Sequence, residues 1–174
     1  MSLSRRTREG DAKGDFIKHH EQYEELFQSK HITLECVDCH DPHVGVIQLR
    51  KARVQTTRTL CENCHFKEAQ YLASTIMREY VVCIDCHMPR ITKSAVGNAA
   101  KFTGDIRTHM MAIDPIQIGQ LTDDGKLALS QLSLEFACRS CHVEGGIVIA
   151  HNYTNQELKQ EAYYYHARPT TLEE

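Results

Sequence analysis

Eight cysteines fall into four copies of one pattern, Cys-x-x-Cys-His: Cys36/Cys39/His40, Cys61/Cys64/His65, Cys83/Cys86/His87 and Cys138/Cys141/His142. No cysteine is left over for a disulfide or a free thiol. Two thiols separated by two residues can form thioethers to the two vinyl edges of one porphyrin, and the adjoining imidazole then lies beneath the iron as an axial ligand. The pattern therefore predicts four covalently attached c-type haems. Cys-x-x-Cys pairs also serve as redox dithiols or as halves of zinc sites, and four pairs would make two sites of four thiolates each. Neither of those chemistries requires a histidine after every second cysteine, so the haem reading is preferred.

Haems would also change what the core is made of. Only 41% of the 174 residues are hydrophobic and 7% aromatic, with no Trp, so the apolar side chains alone are thin for one domain of this length. Porphyrin faces supply the missing apolar surface. The formal net charge of -3 offers no polycation for nucleic acid, and no basic run extends beyond Arg5, Arg6 and Arg8. Propionates make a haem-loaded chain more acidic still, so some of the 20 Lys and Arg are expected to face propionates.

No stretch approaches the roughly 18 apolar residues of a membrane span. Residues 1–15 are polar and Gly-containing, which predicts a flexible or docking arm ahead of a haem-organised domain over 16–174. That arm has no apolar signal-peptide core. Because c-type haem is attached outside the cytoplasm, we read the sequence as a processed or truncated form of an exported, periplasmic or extracellular protein.

Along the chain, Phe16, His20, Tyr23 and Phe27 recur at three- and four-residue steps and predict a helix over 16–29. Asp41-Pro42 marks a turn after the first motif. Short apolar alternation over Val44 to Val54 suggests a strand or extended connector. Leu72, Ile76 and Tyr80 predict a helix from Phe66 to Tyr80. First cysteines are spaced by 25, 22 and then 55 residues, and the long interval, rich in Gly and Pro, reads as loop. Leu127 to Ala137 is apolar and leads into the fourth motif. Thr154-Asn155-Gln156-Glu157 has the form of a capping box, so a helix should run from there to about His166. The expected fold is mainly loop with a few α-helices and little strand.

Beyond the motif ligands His40, His65, His87 and His142, seven histidines remain: His19, His20, His31, His43, His109, His151 and His166. Six-coordinate irons would use four of them. His31 and His43 stand too close to the first motif to reach round to the far face of its haem, and are expected to ligate neighbouring irons instead. His109 is the sole histidine of the long interval, and a long loop ending on an iron is a sensible use of chain. For the fourth ligand His20 shares the face of Phe16, Tyr23 and Phe27 and is chosen over His19, with His151 the main competitor. His166 suits a helix C-terminus without any metal. Met77, Met88, Met110 and Met111 are read as packing residues, which leaves bis-histidine ligation and low reduction potentials.

These residues resemble multihaem c-type cytochromes. The phrases are His-Ile-Thr-Leu-Glu-Cys-Val-Asp-Cys-His-Asp-Pro-His at 31–43, Cys-Ile-Asp-Cys-His-Met-Pro-Arg at 83–90, Gly-Asp-Ile-Arg-Thr-His at 104–109 and Phe-Ala-Cys-Arg-Ser-Cys-His at 136–142. Two tetrahaem subgroups are similar: small periplasmic carriers that serve reductases, and extracellular cytochromes that polymerise into nanowire filaments, one subunit donating a histidine to a haem of the next. The second resemblance implies a head-to-tail homopolymer, and the arm followed by His19-His20 is similar in placement to its donated ligand, whether His20 serves its own subunit or the next. Electron transport among other redox proteins, with no catalytic residue, is the first expectation. A multihaem reductase of nitrite, hydroxylamine or a sulfur oxyanion, or one module of a larger complex, is the alternative; a reductase needs an open iron position, and the spare histidines suffice to close every one.

Overall fold

The computed structural model describes residues 17, 18, 22–73, 79–146 and 151–167. Among these the chain is mostly loop. It carries short helices α1 (Gln22–Gln28), α2 (Cys36–Cys39), α3 (Val46–Lys51), α4 (Phe66–Ala73), α5 (Cys83–His87) and α6 (Asn155–Ala167). Two-residue strands β1 (Ile17–Lys18) and β2 (Thr92–Lys93) pair in parallel, Ile17 opposite Thr92. No helix among the described residues is long and apolar enough to cross a membrane.

The expected domain contains two compact units: one takes residues 17–32 and 82–167, the other 33–81. In the first unit, Ile17, Ile91, Met110, Leu132 and Phe136 form a buried cluster, with Phe102 edge-on to Phe136 at a ring distance of 6.1 Å. Leu134, Leu158 and Ala162 form a second. Burial of Ile17 explains why the predicted helix over 16–29 begins as strand: pairing and a core position outweigh local propensity. Met110 is a core residue, as its packing role requires.

The loop that follows motif 3 is tightly knitted. Gly104 lies so close to the Thr92 carbonyl that a Cβ would collide with it, which is why glycine opens the phrase at 104–109. The Asp105 carboxylate accepts from the N–H groups of Ser94, Ala95 and Val96 at 2.7, 2.8 and 2.9 Å. These bonds hold its carboxyl down at about 2, the Ser94 bond contributing most.

The second unit has no such core. None of its described side chains is buried, and Leu34, Val37, Ile47, Val54, Leu60, Phe66 and Tyr80 are exposed. Val46–Lys51 is helical, a correction to the strand or connector suggested by its alternation. Gln48 reaches back to accept the Gly45 N–H at 3.0 Å, and Arg50 and Lys51 in the last turn face the carbonyl end. The helix predicted from Phe66 is described to Ala73; Ile76 lies outside the described residues and Tyr80 sits in a turn. At the other end of the chain, the capping box is present: Thr154 N–H and Oγ1 both donate to Glu157 Oε2 at 2.8 Å, and Glu157 N–H donates back to Thr154 Oγ1 at 3.3 Å.

Candidate haem sites

Each motif is wound as a single turn. The histidine N–H donates to the carbonyl of the first cysteine at 2.7 Å in motif 1 (His40 to Cys36), 2.8 Å in motif 2 (His65 to Cys61) and 3.0 Å in motif 4 (His142 to Cys138), while motif 3 is helix α5. Positions i, i+3 and i+4 of such a turn share one face, so both sulfurs and the imidazole are presented together. Motifs 1 and 3 carry an aspartate that closes the turn from within. Asp38 Oδ2 accepts the Glu35 N–H at 2.7 Å, and Asp85 Oδ2 accepts that of Val82 at 3.1 Å. A π-helix over Glu135–Arg139 leads into motif 4, and its buried Phe136 and Ala137 anchor it in the core.

Two motif histidines are oriented as iron ligands must be. His87 Nδ1 meets the Met111 carbonyl at 2.8 Å, and His142 Nδ1 meets the His151 carbonyl at 2.6 Å. A carbonyl can only accept, so each Nδ1 carries the proton and each Nε2 keeps a lone pair that could bind an iron. The His142 ring also stacks on Tyr153, centroids 4.7 Å apart with 24° between planes. His65 Nδ1 stands 3.9 Å from Glu68 Oε2, beyond hydrogen-bond reach.

Three of the thiols sit where the thiolate is disfavoured. Burial, reinforced by Cys138 and Cys141, pushes the Cys86 thiol up to about 12. Burial also raises Cys138 to about 11, and it raises Cys39, with Asp38 and Cys64 contributing. A nucleophilic dithiol is tuned the other way. Among the described residues, which include all eight cysteines, no three His, Cys, Asp or Glu side chains converge as a ready metal cluster. Within their units, α5 packs on the turn of motif 4, and Cys39 of motif 1 feels Cys64 of motif 2. Exposed Leu34, Val37, Leu60, Phe66, Tyr80 and Val82 flank the motifs, where a porphyrin face would cover them.

The candidate distal histidines are placed unevenly. His31 follows α1 and is half-buried. His109 is also half-buried, and its backbone N–H donates to buried Glu25 at 2.7 Å. His43 is exposed, its N–H on Asp41 Oδ1 at 2.8 Å in the turn predicted there. His151 is exposed and lends its carbonyl to His142. His19, His20 and the side chain of His166 lie outside the described residues.

Several partners had no signature in the sequence. Arg107 donates through Nη1 to the Ile84 and Met88 carbonyls at 2.6 and 2.9 Å, and through Nη2 to Asp85 Oδ1 at 2.7 Å, clamping α5. Only the phrase at 104–109 hinted at it. Met111 acts through its carbonyl, Glu25 through a carboxylate on the His109 backbone and Tyr153 through its ring, contacts that no motif encodes.

Residues 32–70 match the family described as the doubled CXXCH motif, a span that takes in motifs 1 and 2. The fold is similar to octahaem sulfite reductase MccA of Wolinella succinogenes (form II), with a TM-score of 0.58 and 15% identity, over 88% of this chain and 33% of that one. The chain thus spans about a third of that structure's length. No curated protein matches it in sequence. Paired motifs and this likeness support a multihaem c-type cytochrome, with covalently bound haem serving electron transfer.

Proposed function

We propose that the chain carries four bis-histidine c-type haems and conducts electrons between redox partners outside the cytoplasm. The observation that carries this reading is the pairing of motifs within units: motifs 1 and 2 lie in one and motifs 3 and 4 in the other, each pair with attachment thiols close enough to influence one another. The haems supply one-electron chemistry. The chain holds them through Cys36, Cys39, Cys61, Cys64, Cys83, Cys86, Cys138 and Cys141, and through His40, His65, His87 and His142. His31, His43, His109 and His20 are the proposed distal ligands. That His31 groups with the unit of motifs 3 and 4, not with motif 1 beside it, supports its ligating a neighbouring iron.

A head-to-tail contact that does not close would extend the chain of haems into a filament, with His20 ligating a haem of the next subunit. Mass spectrometry of the purified protein tests the count, and four haems are expected. Negative-stain microscopy of the native protein beside a His20→Ala variant of verified haem content tests assembly. Filaments lost in the variant support conduction through a polymer, whereas discrete particles under all conditions leave a soluble carrier.

The likeness to a sulfite reductase favours a second reading, a reductase or a module of one. It requires an open iron position. High-spin haem in the native protein, with sulfite- or nitrite-dependent oxidation of the reduced form, would establish it over the first.

A further inference from the structure

Helix α1 and the bend that follows it turn Tyr23 and Phe27 outward and Glu25 and Ser29 inward. Tyr23 and Phe27 are 65% and 48% exposed, whereas Glu25 and Ser29, one turn apart on the opposite face, are 2% and 6% exposed. Burying a hydroxyl costs free energy unless its hydrogen bonds are met, and those of Ser29 are. Its Oγ lies 2.7 Å from the Leu26 carbonyl, accepts the His31 backbone N–H at 3.0 Å, and lies 3.3 Å from His31 Nδ1.

The proton count fixes the imidazole. A serine hydroxyl has one hydrogen, and the Leu26 carbonyl, which can only accept, takes it. The contact with His31 must then have Nδ1 as donor, which leaves the lone pair on Nε2. Backbone carbonyls impose this same tautomer on His87 and His142. At His31 a buried side chain does it, and the accompanying bond to the His31 N–H holds ring and backbone to one oxygen.

We propose that Ser29 is the positioning residue that presents His31 Nε2 to a haem iron; this rests on the reading of His31 as a distal ligand. Ser29 touches no iron itself. It fixes which nitrogen is basic and where the ring points, so its loss loosens a ligand without removing one.

The test uses the haem-loaded, dithionite-reduced protein and carbon monoxide as the probe. In native protein the iron that His31 closes should be six-coordinate and take up the gas slowly. His31→Ala should open one haem in four to immediate binding. Ser29→Ala should accelerate uptake at that haem by about tenfold to a hundredfold, the range for losing an outer-shell partner of a metal ligand. Ser29→Thr, which keeps the hydroxyl, should restore slow uptake. Ser133→Ala removes another buried hydroxyl, one without a hydrogen-bond partner, and should leave the rate unchanged. If His31→Ala opens an iron but Ser29→Ala behaves as native, the positioning role is overturned and His31 ligation stands. If His31→Ala leaves every iron closed, the ligation reading fails and Ser29 falls with it.

Discussion

His87 donates its Nδ1 proton to the Met111 carbonyl at 2.8 Å, and Met111 holds a left-handed backbone at φ +59° to receive it. The left-handed region costs a non-glycine residue roughly 1–3 kcal/mol and persists where its surroundings require it. Here the requirement is a carbonyl aimed at a motif histidine. A β-branched residue tolerates this conformation least and asparagine comparatively well. Met111→Val should therefore lower stability by about 1–2 kcal/mol more than Met111→Asn, read from guanidinium denaturation of the haem-loaded protein. Equal losses for the two would show that the side chain matters there, not the backbone.

Arg107 acts on the other side of the same motif. Its planar fork meets two carbonyls and the Asp85 carboxylate at once, a set that an ammonium cannot reproduce. The ion pair is partly exposed, so screening limits its share to below about 1 kcal/mol, and the bonds to the carbonyls carry the rest. Arg107→Met should cost about 2 kcal/mol overall, and Arg107→Lys should recover little of it. Raising salt to molar levels should change native stability only slightly, because the carbonyl bonds are not screened as the pair is.

Asp105 gives the loop after motif 3 a defined acid limit. Its folded carboxyl ionises near 2, against an ordinary value of about 4. A depressed folded value means that the carboxylate contributes stability above the unfolded value and loses it as pH falls through the folded one. The difference in denaturation midpoint between native protein and Asp105→Asn should be constant from pH 7 to about 5 and should close between about 4 and 2. A difference that persisted unchanged to pH 2 would mean that the three N–H bonds do not depend on charge.

What the sequence made legible follows the physics of each feature. Residue type and spacing made all four Cys-x-x-Cys-His motifs legible, and the thin apolar content made the scarcity of regular structure legible. The capping box at Thr154 and Glu157 is local and was equally plain. Ile17 was misread because its pairing partner Thr92 is far along the chain, and Val46–Lys51 because four of its six residues, Gln48, Leu49, Arg50 and Lys51, favour helix more than the alternation suggested. Orientation of the motif histidines escaped altogether. Its acceptors at Met111 and His151 are backbone carbonyls, which every residue has and no composition reveals.

The absence of a buried side chain among those described in 33–81 makes the sharpest prediction about folding. Chains of roughly 50 residues are marginal without staples, and here Ile47 and Phe66 stay 67% and 59% exposed in the protein alone. On the proposed reading, haems attached at motifs 1 and 2 would serve as the core of this unit. Replacing Cys36, Cys39, Cys61 and Cys64 by alanine removes their attachment while leaving motifs 3 and 4 intact. Limited proteolysis should then cut within 33–81 at least about tenfold faster, because cleavage tracks the open population. The segment 82–146 should keep its protection, since Ile91, Met110, Leu132 and Phe136 belong to a buried cluster of its own unit. Continued resistance of 33–81 in the quadruple variant would mean that the polypeptide itself holds that unit together.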